Sequence, residues 1–331
     1  MRVLVTGGVG CIGSNLAERL LGEGHTVIAL DNLSAGSRTF LAECEQMARF
    51  RFVCADLLNF AALREAMADV EVVFHLAANS DITQSRLQTD LDLRLGTLAT
   101  FNVLEAMRLA GVSKIIFSSS SVVYGEPTVM PTPEDYGPLF PISFYGASKL
   151  AAEALISAYC HNFGFQAWIY RFANICGRHG THGVIVDFIR KLQRDPSRLQ
   201  VLGDGKQAKP YLHVGECVDG MLYGWQHSTA ALNYFNLGCD GSTSVTRLAQ
   251  FLLDAMDLKG AEIVCTGGQR GWSGDVPQVR LDCGKLERMG WKAKLTSDAA
   301  VKLAVAELVK ELNCRPLALS TSRESALKSN A

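Results

Sequence analysis

The chain has 331 residues, with 32 Lys and Arg against 33 Asp and Glu and a formal net charge of −1 at pH 7. That length accommodates one large or two modest domains, and the near-neutral balance leaves no electrostatic footprint for DNA, RNA or an anionic membrane surface, so neither nucleic acid nor membrane is an expected partner. No apolar run approaches the roughly 18 residues a spanning helix needs, and a single Arg before the first apolar run is not a signal-peptide start, so a cytoplasmic protein is expected.

Apolar strands are predicted over 3–6, 26–31, 50–55, 72–76, 114–119 and 166–172, with amphipathic helices over 14–21, 61–68, 90–110 and 145–163 between them. Alternation of this kind predicts an α/β fold with a Rossmann-type, doubly wound parallel sheet. The two long helices carry small or apolar residues on more than one face, a pattern that suits packing against a partner subunit. After Arg171 the chain turns richer in Gly, Arg, His and Pro, which predicts a smaller substrate domain over 174–211 and 239–312, while 212–238 returns to the first domain (1–173) with a strand over 234–237. The tail over 313–331 has little to bury and is expected to be disordered. Ten cysteines are scattered without a C-x-x-C pair, which argues against zinc or redox chemistry; no metal site is expected, and Cys54, Cys160 and Cys265, within apolar segments, read as buried reduced thiols.

The first strand runs straight into Gly7-x-x-Gly10-x-x-Gly13, and Asp31 closes the second strand 18 residues after the last of these glycines. A pyrophosphate reaches the backbone N–H groups at a helix N-terminus only where no Cβ atoms intervene, so the turn formed by Gly7, Gly10, Cys11, Ile12 and Gly13 is a dinucleotide site. The Asp31 carboxylate can accept both hydroxyls of an adenosine ribose and repels a 2′-phosphate, which favours NAD over NADP.

Tyr145 and Lys149 stand four residues apart at the start of the last long helix, on one face. A phenol with an ordinary pKa near 10 is a poor base at neutral pH, but the Lys149 cation and the positive nicotinamide ring would favour its phenolate, making Tyr145 a general base toward a sugar or alcohol hydroxyl. The serines that close the strand before it, Ser118 to Ser121, lie on the ligand side of such a sheet.

These motifs (TGGVGCIG, Asp31-Asn32, Ala55-Asp56-Leu57, HLAA, SSSSVVYG, YGASK, RFANICG, LGDGKQAKPYLHV and RGWSGDV) resemble those of the extended short-chain dehydrogenase/reductases. The resemblance is to the NAD-dependent nucleotide-sugar epimerase/dehydratase family, and within it to the UDP-sugar 4-epimerases. It implies that Asn32, Asp56 and Leu57 serve the adenosine end of NAD, that Ala77 and Ala78 line the cofactor cleft, and that Lys149 also holds the nicotinamide ribose. Ser120 matches the Ser/Thr that hydrogen-bonds the reacting oxygen, with Ser121 beside it on the substrate side, and Asn174 matches a residue on the nucleotide-sugar's phosphates. A UDP-sugar substrate and a homodimer formed through helices 90–110 and 145–163 are further implications.

Relatives that dehydrate or decarboxylate place acids just after the Ser/Thr; this chain has Ser121-Val122 there, which favours oxidation and re-reduction at C4. A dehydratase, a 4-ketosugar reductase and a non-catalytic NAD-binding regulator are the alternatives. Two positions depart from the family pattern: Gly96 replaces an Asn, and Lys209 replaces the Arg of GDGxQxR, a point charge where arginine offers a planar fork. Arg270 is the candidate for a second phosphate clamp. Arg178, His179 and His182 could recognise an acidic sugar but read better as a polar loop, and His75 reads as structural or cofactor-adjacent.

Overall fold

The computed structural model describes residues 1–79, 81, 84–268, 276 and 278–313. The first half alternates strands and helices: β1 (Arg2–Thr6), α1 (Cys11–Gly22), β2 (Thr26–Asp31), β3 (Phe50–Cys54), α2 (Phe60–Ala66), β4 (Val72–His75), α3 (Ala99–Ala110), β5 (Lys114–Ser120), α4 (Phe144–Phe163) and β6 (Gln166–Phe172). Shorter elements follow: β7 (Asn174–Cys176), α5 (Val184–Arg194), β8 (Arg198–Val201), β9 (Ala208–Lys209), β10 (Tyr211–His213), α6 (Val214–His227), β11 (Leu232–Leu237), β12 (Thr243–Ser244), α7 (Val245–Ala255), β13 (Glu262–Cys265), α8 (Gly284–Met289) and α9 (Ser297–Asn313).

Seven parallel strands form the central sheet in the order β11-β6-β5-β4-β1-β2-β3. Strand order reverses between β1 and β4, and in open sheets of this kind ligands bind at the carboxyl ends of the strands flanking that point. Alternation along each strand feeds two cores. Val3, Val5, Val27, Ala29 and Phe74 face α1 and α6, whereas Leu4, Ile28, Leu30, Val73 and Phe117 face α2, α3 and α4. Each fully buried Leu or Phe contributes about 1.5–3 kcal/mol relative to exposure. A third cluster gathers Ile189, Leu192, Val201, Leu248, Leu252 and Leu308 from α5, β8, α7 and α9.

Two expectations need correction. The helix over 90–110 is not uniform: Leu93–Leu98 winds as a π-helix before α3 begins. Its Gly96 lies so close to α4 that an added Cβ would stand 2.5 Å from Ser148 Oγ, and the Thr100 hydroxyl donates to the Gly96 carbonyl at 2.6 Å. Cys160 is buried, but Cys54 and Cys265 are exposed, because each is the last residue of its strand and points away from the core. The predicted disordered tail lies, beyond Asn313, outside the described residues. Among the described residues no helix is long and apolar enough to cross a membrane.

Candidate active site

The glycine turn is a cradle shaped by what side chains would strike. Gly7 has φ +70°, and a Cβ there would lie 2.8 Å from the Ala77 backbone nitrogen; one on Gly13 would overlap the Gly7 carbonyl oxygen. A Cβ on Gly10 would meet Gly7 O at 3.3 Å and nothing else within 4 Å, so it would protrude into the open cradle. Gly10 begins α1 without a side-chain cap, and no acid stands in the first turn, which leaves the positive end of the helix to an anion. The residues present therefore fit a bound pyrophosphate. Ile12 packs against the core, and the Cys11 thiol, bonded to the Arg178 carbonyl at 3.3 Å, is pushed up to about 12 by burial, which disfavours the nucleophilic thiolate.

Asp31 holds the loop around the cradle. One carboxylate oxygen accepts from Val9 N at 3.3 Å and the other from Leu33 N at 2.8 Å. Burial raises its pKa, and these backbone donors oppose that rise. Each oxygen keeps acceptor capacity for a ribose hydroxyl. Asn32 Nδ2 donates to Asp56 Oδ2 at 2.9 Å, Asp56 Oδ1 accepts from Leu58 N at 2.8 Å, and the Leu57 carbonyl accepts from Asn102 at 2.9 Å. Asp31, Asn32, Asp56 and Leu57 thus converge on the carboxyl ends of β2 and β3. Ala77 and Ala78 follow β4, and the Ala77 N–H donates to the Thr6 hydroxyl at 3.3 Å. His75 bridges Thr6 (2.8 Å) and Thr100 (3.0 Å); burial, assisted by Lys149, lowers its pKa to about 3, so it is a neutral strut.

Ser143 caps α4 by accepting from Gly146 N at 3.0 Å, and the next turn presents Tyr145 and Lys149. The Lys149 ammonium donates to the Ser118 carbonyl at 2.6 Å and sits 4.7 Å from the Phe117 ring centre and 5.7 Å from that of Tyr145. Burial lowers its pKa to about 7 against the pull of Asp92 and Glu153. Tyr145 differs from the sequence expectation: burial and then the Asp92 carboxylate raise its pKa above the ordinary value in the chain by itself.

The serines divide their labour. Ser118 Oγ donates to the His75 carbonyl at 3.3 Å and Ser119 Oγ to Glu153 at 2.5 Å, whereas Ser120 is partly exposed and caps the tight turn Ser121–Tyr124. That turn packs on α4 where Tyr145 starts: the Val122 carbonyl is 2.9 Å from where a Cβ of Gly146 would be. Beneath it, Arg171 forks onto Glu153 at 2.7 and 3.0 Å, both residues buried, and reaches the Tyr124 hydroxyl at 3.0 Å.

Ser121, Val122, Tyr124 and Gly125 line a small cavity that shares Pro127, Val276 and Gln278 with a cleft of about 400 Å³. Glu126, Met130, Asp204, Lys206 and Gln207 complete that cleft. Gln207 is 4 % exposed, and its Oε1 has no hydrogen-bond partner among the described residues. Asn174 and Lys209 lie in β7 and β9, while Arg270 falls outside the described residues. Arg178 is spent on Glu18 and on Asn15 (2.7 Å), and His179 stacks on Phe40 at 4.5 Å and meets Ser14 at 2.9 Å, so this loop docks against α1 instead of facing a sugar.

Asp92, Glu153, Arg171 and Gln207 escaped the sequence reading. A lone Arg inside the apolar strand QAWIYRF and a Glu four residues after Lys149 were usable signals for a buried pair. Asp92, in LDLRLG, has no local signature.

A parallel sheet with a glycine cradle at its switch point and a Tyr-x-x-x-Lys pair, its lysine buried, beside a serine-ended strand defines a Rossmann-type, NAD-dependent enzyme. Residues 3–238 match the model of the NAD dependent epimerase/dehydratase family, and the chain belongs to that family. It is 36% identical over 255 residues to the UDP-glucose 4-epimerase of Mycolicibacterium smegmatis, covering 75% of this chain and 80% of that one. A solved UDP-galactose 4-epimerase superposes with a TM-score of 0.85 at 37% identity, over 94% of this chain and 100% of the other. A UDP-glucuronic acid 4-epimerase from Bacillus cereus, solved with UDP-glucuronic acid and NAD, gives 0.85 at 25% identity over 94% and 100%.

Proposed function

We propose that the chain is a nucleotide-sugar 4-epimerase acting on UDP-sugars through a transient 4-keto sugar. The observation that carries this reading is the strand end at Ser120: Lys149 is bonded to the Ser118 carbonyl there, the turn after Ser120 packs on α4 beside Tyr145, and Ser121-Val122, not an acid, follows the serine and lines the adjoining cavity. Elimination or decarboxylation needs a proton donor or acceptor at that place; inversion at C4 does not.

In this scheme Tyr145 removes the O4 proton and later returns it, Ser120 hydrogen-bonds the same oxygen, and the Lys149 cation compensates the phenolate. Bound NAD supplies a reversible hydride store at C4, so no second substrate is consumed. Gly7, Gly10, Cys11, Ile12 and Gly13 hold its pyrophosphate, Asp31, Asn32, Asp56 and Leu57 its adenosine, and Ala77, Ala78 and Lys149 its nicotinamide half. We assign the substrate diphosphate to Asn174, Lys209 and Arg270, with Ser121 beside the sugar, and residues 174–211 and 239–312 to the nucleotide-sugar domain. The commitment of Arg178 and His179 to α1 favours a neutral or N-acetylated sugar over a uronate.

Exposed apolar side chains on α3 (Phe101, Leu109), on the π-helix before it (Leu98) and on α4 (Phe144, Phe163) favour a homodimer through these helices. The nine described cysteines are all free thiols, which suits a reducing compartment such as the cytoplasm.

Purified protein with NAD⁺ and a panel of UDP-, GDP-, CDP- and dTDP-sugars, followed by NMR of the anomeric and H4 protons, tests the reading. A C4 epimer of unchanged mass without net NADH is expected. Loss of water or carbon dioxide would move the chain to another branch of the family, net consumption of a nicotinamide cofactor would make it a reductase, and silence across the panel would favour a regulator.

A further inference from the structure

The buried charges around α4 do not balance pairwise. Arg171 and Glu153 satisfy each other through two hydrogen bonds, with Ser119 adding a third donor to the carboxylate. That leaves Lys149, 2 % exposed, whose ammonium is bonded to a neutral carbonyl, and Asp92, 1 % exposed, whose oxygens accept from the Ser85 hydroxyl and from Asn79 Nδ2 at 3.1 Å. Neither takes part in a salt bridge among the described residues. A carboxylate withdrawn from water this far is stable only near a compensating cation.

The fold brings the two together. Asp92 immediately precedes the π-helix Leu93–Leu98, and Gly96 of that segment packs on Ser148, the residue before Lys149. Ser148 in turn donates its hydroxyl to the Tyr145 carbonyl at 2.9 Å. Wide helical turns of this kind recur at functional sites.

We infer that Asp92 is a positioning residue for the reaction, a buried counter-charge held by Ser85 and Asn79 that acts through Lys149 and Tyr145. The inference rests on the assignment of Tyr145 and Lys149 made above. A negative charge at Asp92 keeps the lysine an ammonium in a site whose burial otherwise favours the neutral amine, and it holds the phenol protonated until a cation arrives opposite it. The field is consistent with this: Asp92 opposes the effect of burial on Lys149 and adds to it on Tyr145. The other ionisable groups facing Lys149 are Glu153, engaged by Arg171, and His75, which stays neutral. Glu105 and Arg108, on the α3 face of α4, are paired with each other beside Tyr159 at the far end of the helix.

The test is the pH profile of kcat/KM for the NAD holoenzyme with the UDP-sugar that the substrate panel identifies. Asp92→Asn keeps the shape and removes the charge; Asp92→Ser is a second neutral variant. Both ionisations, that of Tyr145 and that of Lys149, are expected to move to lower pH by about half a unit or more, and the limbs of the profile with them. Ser85→Ala strips a donor but keeps the charge, so its limbs stay in place or move to higher pH. Ultraviolet titration of the tyrosinate band, with Tyr145→Phe subtracted, reads the Tyr145 shift without turnover. Limbs that stay fixed in the neutral variants, or an acid shift in Ser85→Ala like theirs, would overturn the inference. Full activity in Tyr145→Phe would instead overturn the reading on which it rests.

Discussion

The ammonium of Lys149 is bound to the carbonyl oxygen of Ser118 at 2.6 Å and not to the phenol of Tyr145, whose ring centre is 5.7 Å away. Lysine is thereby fixed to the strand end that carries the serines, and its influence on Tyr145 is that of a nearby charge. Removing the phenol hydroxyl should then cost chemistry and little else. Tyr145→Phe is expected to lower kcat about 10²–10⁴-fold, the usual worth of a positioned acid-base group, while NAD affinity, read by fluorescence titration, stays close to that of the parent. Lys149→Met should lose both, because that side chain is fixed to the strand end and is the one proposed to hold the nicotinamide half.

The glycines of the turn should separate into two kinds. A methyl at Gly13 overlaps the Gly7 carbonyl, where backbone must shift, so Gly13→Ala is expected to destabilise the fold by about 1–3 kcal/mol and to abolish NAD binding. A methyl at Gly10 meets only Gly7 O at 3.3 Å. Gly10→Ala should keep the melting temperature within a few degrees and still bind NAD weakly, because the new methyl would stand in the place proposed for the pyrophosphate. Paired thermal melts and NAD titrations distinguish the two; equal melting temperatures in both variants would count against this account.

Much of this was legible from the sequence because it is local. The run from Val3 to Gly13 announces strand, turn and helix by residue type alone, and the predicted strands over 26–31 and 166–172 coincide with β2 and β6. The YGASK spacing places two side chains on one face without tertiary knowledge. What escaped depends on neighbours distant in sequence. Gly96 makes sense only beside Ser148, and Asp92 only once the π-helix has set it near Lys149. The exposure of Cys54 and Cys265 depends on where their strands end, which alternation does not fix. The Glu153 and Arg171 pair left a trace in the sequence, an Arg inside an apolar strand, but only the fold shows which carboxylate meets it.

Gly96 explains its own departure from the family pattern. A side chain there would stand 2.5 Å from Ser148 Oγ and 2.8 Å from Ser148 Cβ, so Gly96→Asn is expected to destabilise by about 1–3 kcal/mol through overpacking. Ser148→Gly in the same chain should recover part of that loss, giving a non-additive double-mutant cycle. Denaturant melts of the two single variants and the double variant measure it; strict additivity would mean that the close approach is not the reason for the glycine.

His75 makes stability depend on pH with a predictable sign. Its ring is fully buried between Thr6 and Thr100, and burial lowers its pKa from 6.5 to about 3. Above pH 6.5 folded and unfolded chains both carry it neutral, and it contributes no slope. Between 6.5 and about 3 the unfolded chain holds a proton that the folded chain refuses, so stability falls as pH falls, by about 1.4 kcal/mol per unit. His75→Gln, which retains a donor and an acceptor, should be less stable than the parent at pH 7.5 by about 1–3 kcal/mol, the cost of imperfect hydrogen bonds to two buried hydroxyls. Its loss on going to pH 5 should nevertheless be smaller than the parent's by about 2 kcal/mol, because the parent's carboxylates titrate in both proteins and cancel in the difference. Urea melts at the two pH values give that difference directly. Parallel losses in the two proteins would mean that the imidazole accepts its proton in place, and the neutral strut between β1, β4 and α3 would have to be abandoned.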